Sequence, residues 1–288
     1  MNVSILAALG FCLLYGLQIV LQSLYLRGSI HPIQLMFLTN ATSFFLLSVF
    51  HGSFNRQIFR VTVPKRTLSF FLIATALWIV ADMSSMIGLA TSSSVNLSLL
   101  SRLQVFITYL GAILFLRESV SSKKIIAVFL AFVGSLLTVF RGQSLVFSSG
   151  DILFLVFTVA ISISGLFRQK TAEHMSTHQM TYLMYGISAA TTGAATLVIA
   201  PIQTIAIWGF ILANAVLALL GFTCVNYAIG KGGASQFSLI SCLLPFITAI
   251  FSFIILHELP SVYQLAGGMI IVASIILFIG TSWKRKNG

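Results

Sequence analysis

The sequence predicts an all-α integral membrane protein whose ten transmembrane helices form two inverted five-helix repeats. Three observations predict it. Of 288 residues, 58% are hydrophobic and only 7% charged, whereas an ordinary soluble domain is about a quarter charged. The chain divides into ten apolar runs, each close to the length that crosses a bilayer core of about 30 Å. One stretch also repeats itself 140 residues further on. The same composition excludes a disordered chain, and three Cys are too few for a disulfide scaffold. A formal charge of +11 would suggest nucleic acid in a soluble protein. Here it is read as a topology signal, and no nucleic-acid partner is expected.

In order, the runs are Val3–Leu24, Pro32–Phe50, Leu68–Ala90, Val95–Leu116 and Ile125–Phe140, then Ile152–Phe167, Met180–Ala200, Ile205–Ala228, Ser235–Leu256 and Val262–Trp283. The first lacks a basic leader and a small-residue cleavage site, so it reads as a retained span rather than a signal peptide. The gaps are short, and most hold charge, Gly, Pro or Ser. Barrel strands would be about half as long and would alternate in polarity, so the runs are helices.

Basic residues orient the bundle. The side holding the N-terminus collects 13 of the 16 Lys and Arg: Arg56, Arg60, Lys65, Arg66, Arg117, Lys123, Lys124, Arg168, Lys170, Lys231, Lys284, Arg285 and Lys286. The other side has Arg27 and Arg141, and Arg102 lies inside a span. That split places both termini in the cytoplasm of a multi-pass protein of the inner or plasma membrane. Trp208 and Trp283 fall at interfaces, where amphipathic rings are favoured.

Residues Ser98–Phe140 match Ser238–Gly280 without gaps, with 11 of 43 positions identical, among them Ser101, Leu103, Phe106, Thr108 and Glu118. Chance would give roughly three or four in so biased an alphabet. The matched spans are the fourth and fifth of each half. Five is an odd number, so the halves, 1–141 and 142–288, must be inverted relative to each other. Inverted halves around a central site recur in carriers that alternate access.

These features resemble the drug/metabolite transporter superfamily, specifically its EamA-type carriers. The resemblance rests on ten spans in two fives, Gly150-Asp151 opening the second half, and the helix ends Leu116-Arg117-Glu118-Ser119 and Leu256-His257-Glu258-Leu259. Pro245 and Gly267-Gly268 fit it as well. The sequence departs from the pattern at Val105, where a proline is common, and at Arg102, whose repeat partner is Cys242. The resemblance implies a secondary carrier, an exporter of small metabolites, and leaves the substrate open.

Charges deep in a bilayer are costly, by about 2.5 kcal/mol upward, and face a cavity or a partner. Asp82 and Arg102 are the two clear cases. Each lies ten residues from the turn near Ser92, hence about 15 Å deep at 1.5 Å per residue. Three roles fit them: a permanent ion pair locking two helices, a proton relay on Asp82, or reception of both ends of a zwitterion. In the last, Arg102 takes a carboxylate by a bidentate contact and Asp82 an ammonium. Helical spacing adds Trp78, Ser85 and Met86 beside Asp82, and Ser98, Phe106 and Tyr109 beside Arg102. Gln18 and Asn40 lead the uncharged polar candidates. Gln22, Gln104, Tyr182, Tyr185 and Asn214 follow, each as readily an interhelical hydrogen bond.

The remaining signals are weak. His174 and His178 have the spacing of two metal ligands but no third, and Cys12, Cys224 and Cys242 read as small apolar packers. Without a nucleotide-binding, zinc or nucleophile motif, no cofactor, metal or enzymatic activity is expected. Ala127, Ala131 and Ser135 form a small-residue face for close packing, within the bundle or in a homodimer. The predicted substrate site is thus Asp82, Arg102, Trp78, Phe106, Tyr109, Gln18 and Asn40. The competing reading is a non-transporting membrane scaffold or accessory subunit with a structural Asp82–Arg102 pair.

Overall fold

The computed structural model describes residues 3–25, 31–54, 63–92, 96–97, 100–118, 120–139, 148–199, 208–257 and 259–284. Arg27, Arg56, Arg60, Ser98, Ser119, Arg141, Glu258, Arg285 and Lys286 lie outside them, as do the side chains of Gln22 and Trp283. The described residues are all helical or connecting. The helices are α1 (Val3–Tyr25), α2 (Pro32–Phe54), α3 (Lys65–Thr91), α4 (Gln104–Leu116), α5 (Ser122–Val139) and α6 (Gly150–Thr171). Then come α7 (Thr177–Ile199), α8 (Trp208–Gly232), α9 (Ala234–Ile240), α10 (Leu244–Leu256) and α11 (Val262–Lys284). Short 3₁₀ turns, Ser101–Leu103 and Ser241–Leu243, precede α4 and α10.

Among the described residues, eight helices are long and apolar enough to cross a membrane, counting α9 and α10 as one continuous run. The Ser101–Leu116 stretch is shorter. Helix α7 spans 23 residues but carries buried Thr181, Ser188, Thr192 and Thr196. Thr192 donates to the Ser188 carbonyl and Thr196 to that of Thr192, while the Thr181 and Ser188 hydroxyls accept from Asn226 and Asn40 of neighbouring helices, so a polar stripe survives inside a helix bundle.

Small residues set the packing. Gly134 of α5 and Gly267 of α11 let two backbones meet: a Cβ on Gly134 would stand 2.8 Å from the Gly267 carbonyl oxygen. Ala127, Ala131 and Ser135 are fully buried on α5, so that face packs within the bundle. On α7, Gly186 and Gly193 receive the rings of Phe44 and Phe37 from α2. Phe154 of α6 fills the space over Gly88 of α3, and Ser164 donates to the Ala74 carbonyl at 2.7 Å.

The repeat is written into the backbone. Each element of the first broken span recurs 140 residues later: the 3₁₀ turn, the thirteen-residue helix, and a left-handed terminal residue, Arg117 at φ 55° and His257 at φ 57°. The helix pairings obey the same exchange. Helix α3 lies along α6 as α1 lies along α8, and α4 meets α6 as α10 meets α1. Helices α2 and α7 pair with each other, as do α5 and α11.

Candidate functional site

A cavity of about 330 Å³ opens at the centre of the bundle, lined from α1, α2, α3 and the α4 segment on one side and α6 to α10 on the other. Its charged lining, among the described residues, is Asp82, Arg102 and Arg168. Asp82 and Arg102 keep part of their surface accessible although their helices are packed, because they face this space.

Asp82 and Arg102 are not joined in an ion pair. The cation within electrostatic reach of Asp82 is Arg168, and the phenols of Tyr15 and Tyr185 stand within the same reach. The Arg102 guanidinium instead lies near the thiols of Cys12 and Cys242, and its Nη2 donates to Ser101 Oγ at 3.0 Å. The structural pair required by the scaffold reading is therefore absent.

Five of the seven sequence-predicted site residues line the cavity: Asp82, Arg102, Trp78, Gln18 and Asn40. Trp78 lies 4.5 Å from the Phe222 ring and edge-on to Tyr185 at 5.9 Å, an aromatic wall beside Asp82. Gln18 Nε2 donates to Asn214 Oδ1 at 3.1 Å, and Asn214 Nδ2 donates to Thr39 Oγ1 at 2.8 Å. Gln18 Oε1 is left buried without a partner. Asn40 Nδ2 donates to Ser188 Oγ at 2.9 Å, tying α2 to α7.

Phe106 and Tyr109 lie outside the cavity lining. Tyr109 is 4% exposed in an apolar core with Ala112, Ala131 and Leu166, and Phe106 packs edge-on against Phe132 at 4.7 Å. The reason is the 3₁₀ turn. Each 3₁₀ residue advances about 120° against about 100° in an α-helix, so three of them rotate the following helix by about 60°. Offset +4 from Arg102 then lies about 100° round the helix from it and +7 about 40°, both on the side away from Ser101, Gln104 and Thr108. The cavity face runs through Leu97, Ser101, Gln104 and Thr108 instead. Of the flanking candidates Met86, Tyr185 and Asn214 also line the cavity; Ser85 donates to the Asp82 carbonyl at 2.8 Å.

Arg168 is the residue that sequence reasoning misplaced. Ending the sixth span at Phe167 put Arg168 among the loop charges, but α6 continues to Thr171 and buries it at 3% exposure. A signal was present: Thr158, Ser162, Gly165 and Arg168 form one small, polar stripe at helical spacing.

Hydrogen-bonded ties stand at both ends of the cavity. At the end away from the start of α1, the Asp151 carboxylate accepts from Ser92 Oγ, from Asn96 Nδ2 at 3.1 Å and from the Ser148 backbone N–H at 2.7 Å. Asn96 is next to Leu97, which lines the cavity. At the other end, Glu118 Oε2 accepts from Ser235 Oγ and Gln169 Oε1 from the Ala234 N–H, both at 2.7 Å. Ala234 also lines the cavity and follows Gly233, whose φ of 88° suits a residue without a Cβ. Among the described residues no three His, Cys, Asp or Glu gather as metal ligands.

Residues 2–140 and again 148–280 match the EamA-like transporter family. An uncharacterized transporter of Bacillus subtilis (strain 168), YyaM, is 26% identical over an alignment covering 67% of each chain. A crystal structure of a protein superposes with a TM-score of 0.84 over 98% of each chain at 13% identity, a likeness of fold.

Proposed function

The chain belongs to the EamA-like transporter family, and from that premise we propose that it is a non-enzymatic secondary active exporter of small, amino-acid-like metabolites. Residues 1–141 and 142–288 act as inverted five-helix halves that rock about the central cavity, with both termini in the cytoplasm of the inner or plasma membrane. The observation that carries this reading is an aromatic-walled cavity, lined from both family-matched segments, that holds three charged side chains within a helix bundle. Such charges persist in a bilayer only where they face water, a partner or a substrate. The exchange symmetry of the helix pairings supports the inverted arrangement.

In this mechanism Arg102 receives a carboxylate and Asp82 an ammonium, or a proton in its place. Trp78 stacks on the substrate body, and Gln18 offers Oε1 as an acceptor. Breaking one tie while the other holds exposes the cavity to one face at a time. Gradient energy drives the cycle, since the fold holds no nucleotide-binding motif. A thermal-shift screen of the purified protein against a metabolite library identifies the substrate. Flux of that compound in proteoliposomes of known orientation then gives the direction. Asp82→Asn and Arg102→Lys are expected to abolish flux while the melting temperature stays within a few degrees. Collapse of both single variants, with rescue by the charge-exchanged double, would return the pair to a structural role.

A further inference from the structure

The Arg168 guanidinium is held in an unusual way for a buried cation. It is 3% exposed and lines the cavity, yet its fixed partners are neutral. Nη1 stands 3.4 Å from Asn226 Oδ1, a long contact, and the Phe222 ring centroid is 5.4 Å from the guanidinium carbon. Asn226 is itself fixed, because its Nδ2 donates to Thr181 Oγ1 at 3.0 Å and leaves Oδ1 facing Arg168. Nε has no hydrogen-bond partner. Asp82 is near enough to act on Arg168 through its field but forms no ion pair with it.

A buried donor left without a partner is costly, the more so when it is charged. A fold that meant only to neutralise Arg168 would close it onto Asp82. Instead both side chains line the same space. The acceptor inventory points the same way. Gln18 is locked through Nε2 and leaves Oε1 without a donor, and Thr108 Oγ1, also on the cavity wall, has no partner. The empty positions ask for an oxyanion at Arg168 and for N–H or O–H groups elsewhere.

Resting on the carrier reading above, we propose that Arg168 is a second anion-binding position and that the substrate is an acidic metabolite bearing two oxyanionic groups and an amine or hydroxyl. One oxyanion meets Arg102, the other meets the open Nε edge of Arg168, and Asp82 takes the amine between them. A neutral zwitterion fills two of these three positions and leaves Arg168 without its anion. A volume of about 330 Å³ suits a molecule of amino-acid size.

Three probes test this on the purified full-length protein: the isosteric pair L-glutamate and L-glutamine, and O-phospho-L-serine, with binding read by thermal shift and calorimetry. Glutamate or phosphoserine is expected to bind at least about tenfold more tightly than glutamine, since a site built for a charged partner rejects the analogue lacking it. Whichever acid wins identifies the oxyanion as carboxylate or phosphate. Arg168→Gln should erase the preference while glutamine affinity stays put, whereas Arg102→Lys should weaken all three alike. Should Arg168→Gln not fold, Arg168→Lys keeps the charge without the fork and should narrow the preference to a few-fold. Equal binding of glutamate and glutamine, or a preference that survives Arg168→Gln, overturns the proposal. So does a neutral or cationic hit from the metabolite library that is carried in proteoliposomes, and that result leaves the carrier reading standing. Absence of any library hit and of any flux overturns both.

Discussion

The two broken spans use one backbone design twice and give it different chemistry. Ser101–Leu103 with α4, and Ser241–Leu243 with α10, agree residue for residue at an offset of 140, down to the left-handed residue that ends each. At the centre of the first turn stands Arg102, facing the cavity. At the centre of the second stands Cys242, 3% exposed, with its thiol directed to the Ser238 carbonyl at 3.5 Å. The break therefore belongs to the fold, and the charge belongs to the site. In the second turn Ser241 Oγ donates to the Ser238 carbonyl at 2.7 Å, an i to i−3 contact that tightens it.

Making the first turn resemble the second is the most damaging test for function. Arg102→Cys should lower proteoliposome flux by about two orders of magnitude, in keeping with the few kcal/mol that a desolvated charge contact carries. Circular dichroism and melting temperature should barely move, because the break does not need the charge. The reciprocal Cys242→Arg places a cation where no cavity receives it, at a cost of at least about 2.5 kcal/mol. It is expected to reduce the yield of monodisperse protein, and combining the two changes should not restore transport. If Arg102→Cys unfolds the protein instead, charge and break are not separable.

What was legible in the sequence follows the same division. Apolar run length and the 140-residue match exposed the spans and the repeat, because burial in lipid constrains nearly every residue of a helix. Asp82 and Arg102 were legible for the opposite reason, as charges where none is tolerated without cause. Phe106 and Tyr109 were placed on the wrong face since a 3₁₀ turn has no strong sequence signature and shifts the phase of all that follows. Arg168 was misread because an Arg at a helix end normally belongs to the interface, where its position favours the helix dipole. Only the stripe of small and polar residues before it distinguishes a cavity wall from a snorkelling charge.

The two end ties give a smaller, opposed pair of effects. Asp151 holds Ser92, Asn96 and Ser148 at one end of the cavity, and Glu118 holds Ser235 at the other. Asp151, in the second family-matched segment, reaches Ser92 and Asn96 in the first, and Glu118, in the first, reaches Ser235 in the second. Asp151→Asn should loosen its end and Glu118→Gln the opposite one, each by about 1 kcal/mol, hence roughly fivefold in the population open at that face. Labelling by an impermeant thiol reagent reports this at Leu97→Cys and Ala234→Cys, in a background where the three native Cys are Ala. The two single variants should move the two reporters in opposite directions. Movement in the same direction would mean that both ties merely hold the bundle together.

The mildest test concerns Pro245, in the first turn of α10, whose repeat counterpart is Val105. Proline lacks an N–H, so it cannot bond the carbonyl four residues back, and it would ordinarily be held responsible for the broken helix. Yet the same 3₁₀ turn and the same thirteen-residue helix form around Val105. Proline thus occupies a break that forms without it in the first span, and its contribution is confined to stiffening the unfolded chain. Pro245→Val should change stability by no more than about 1 kcal/mol, shift the melting temperature by a few degrees at most, and leave flux intact. A straightened α9–α10 with lost transport would instead show that the second break depends on proline where the first forms without one, and the two spans would then share a shape without sharing its cause.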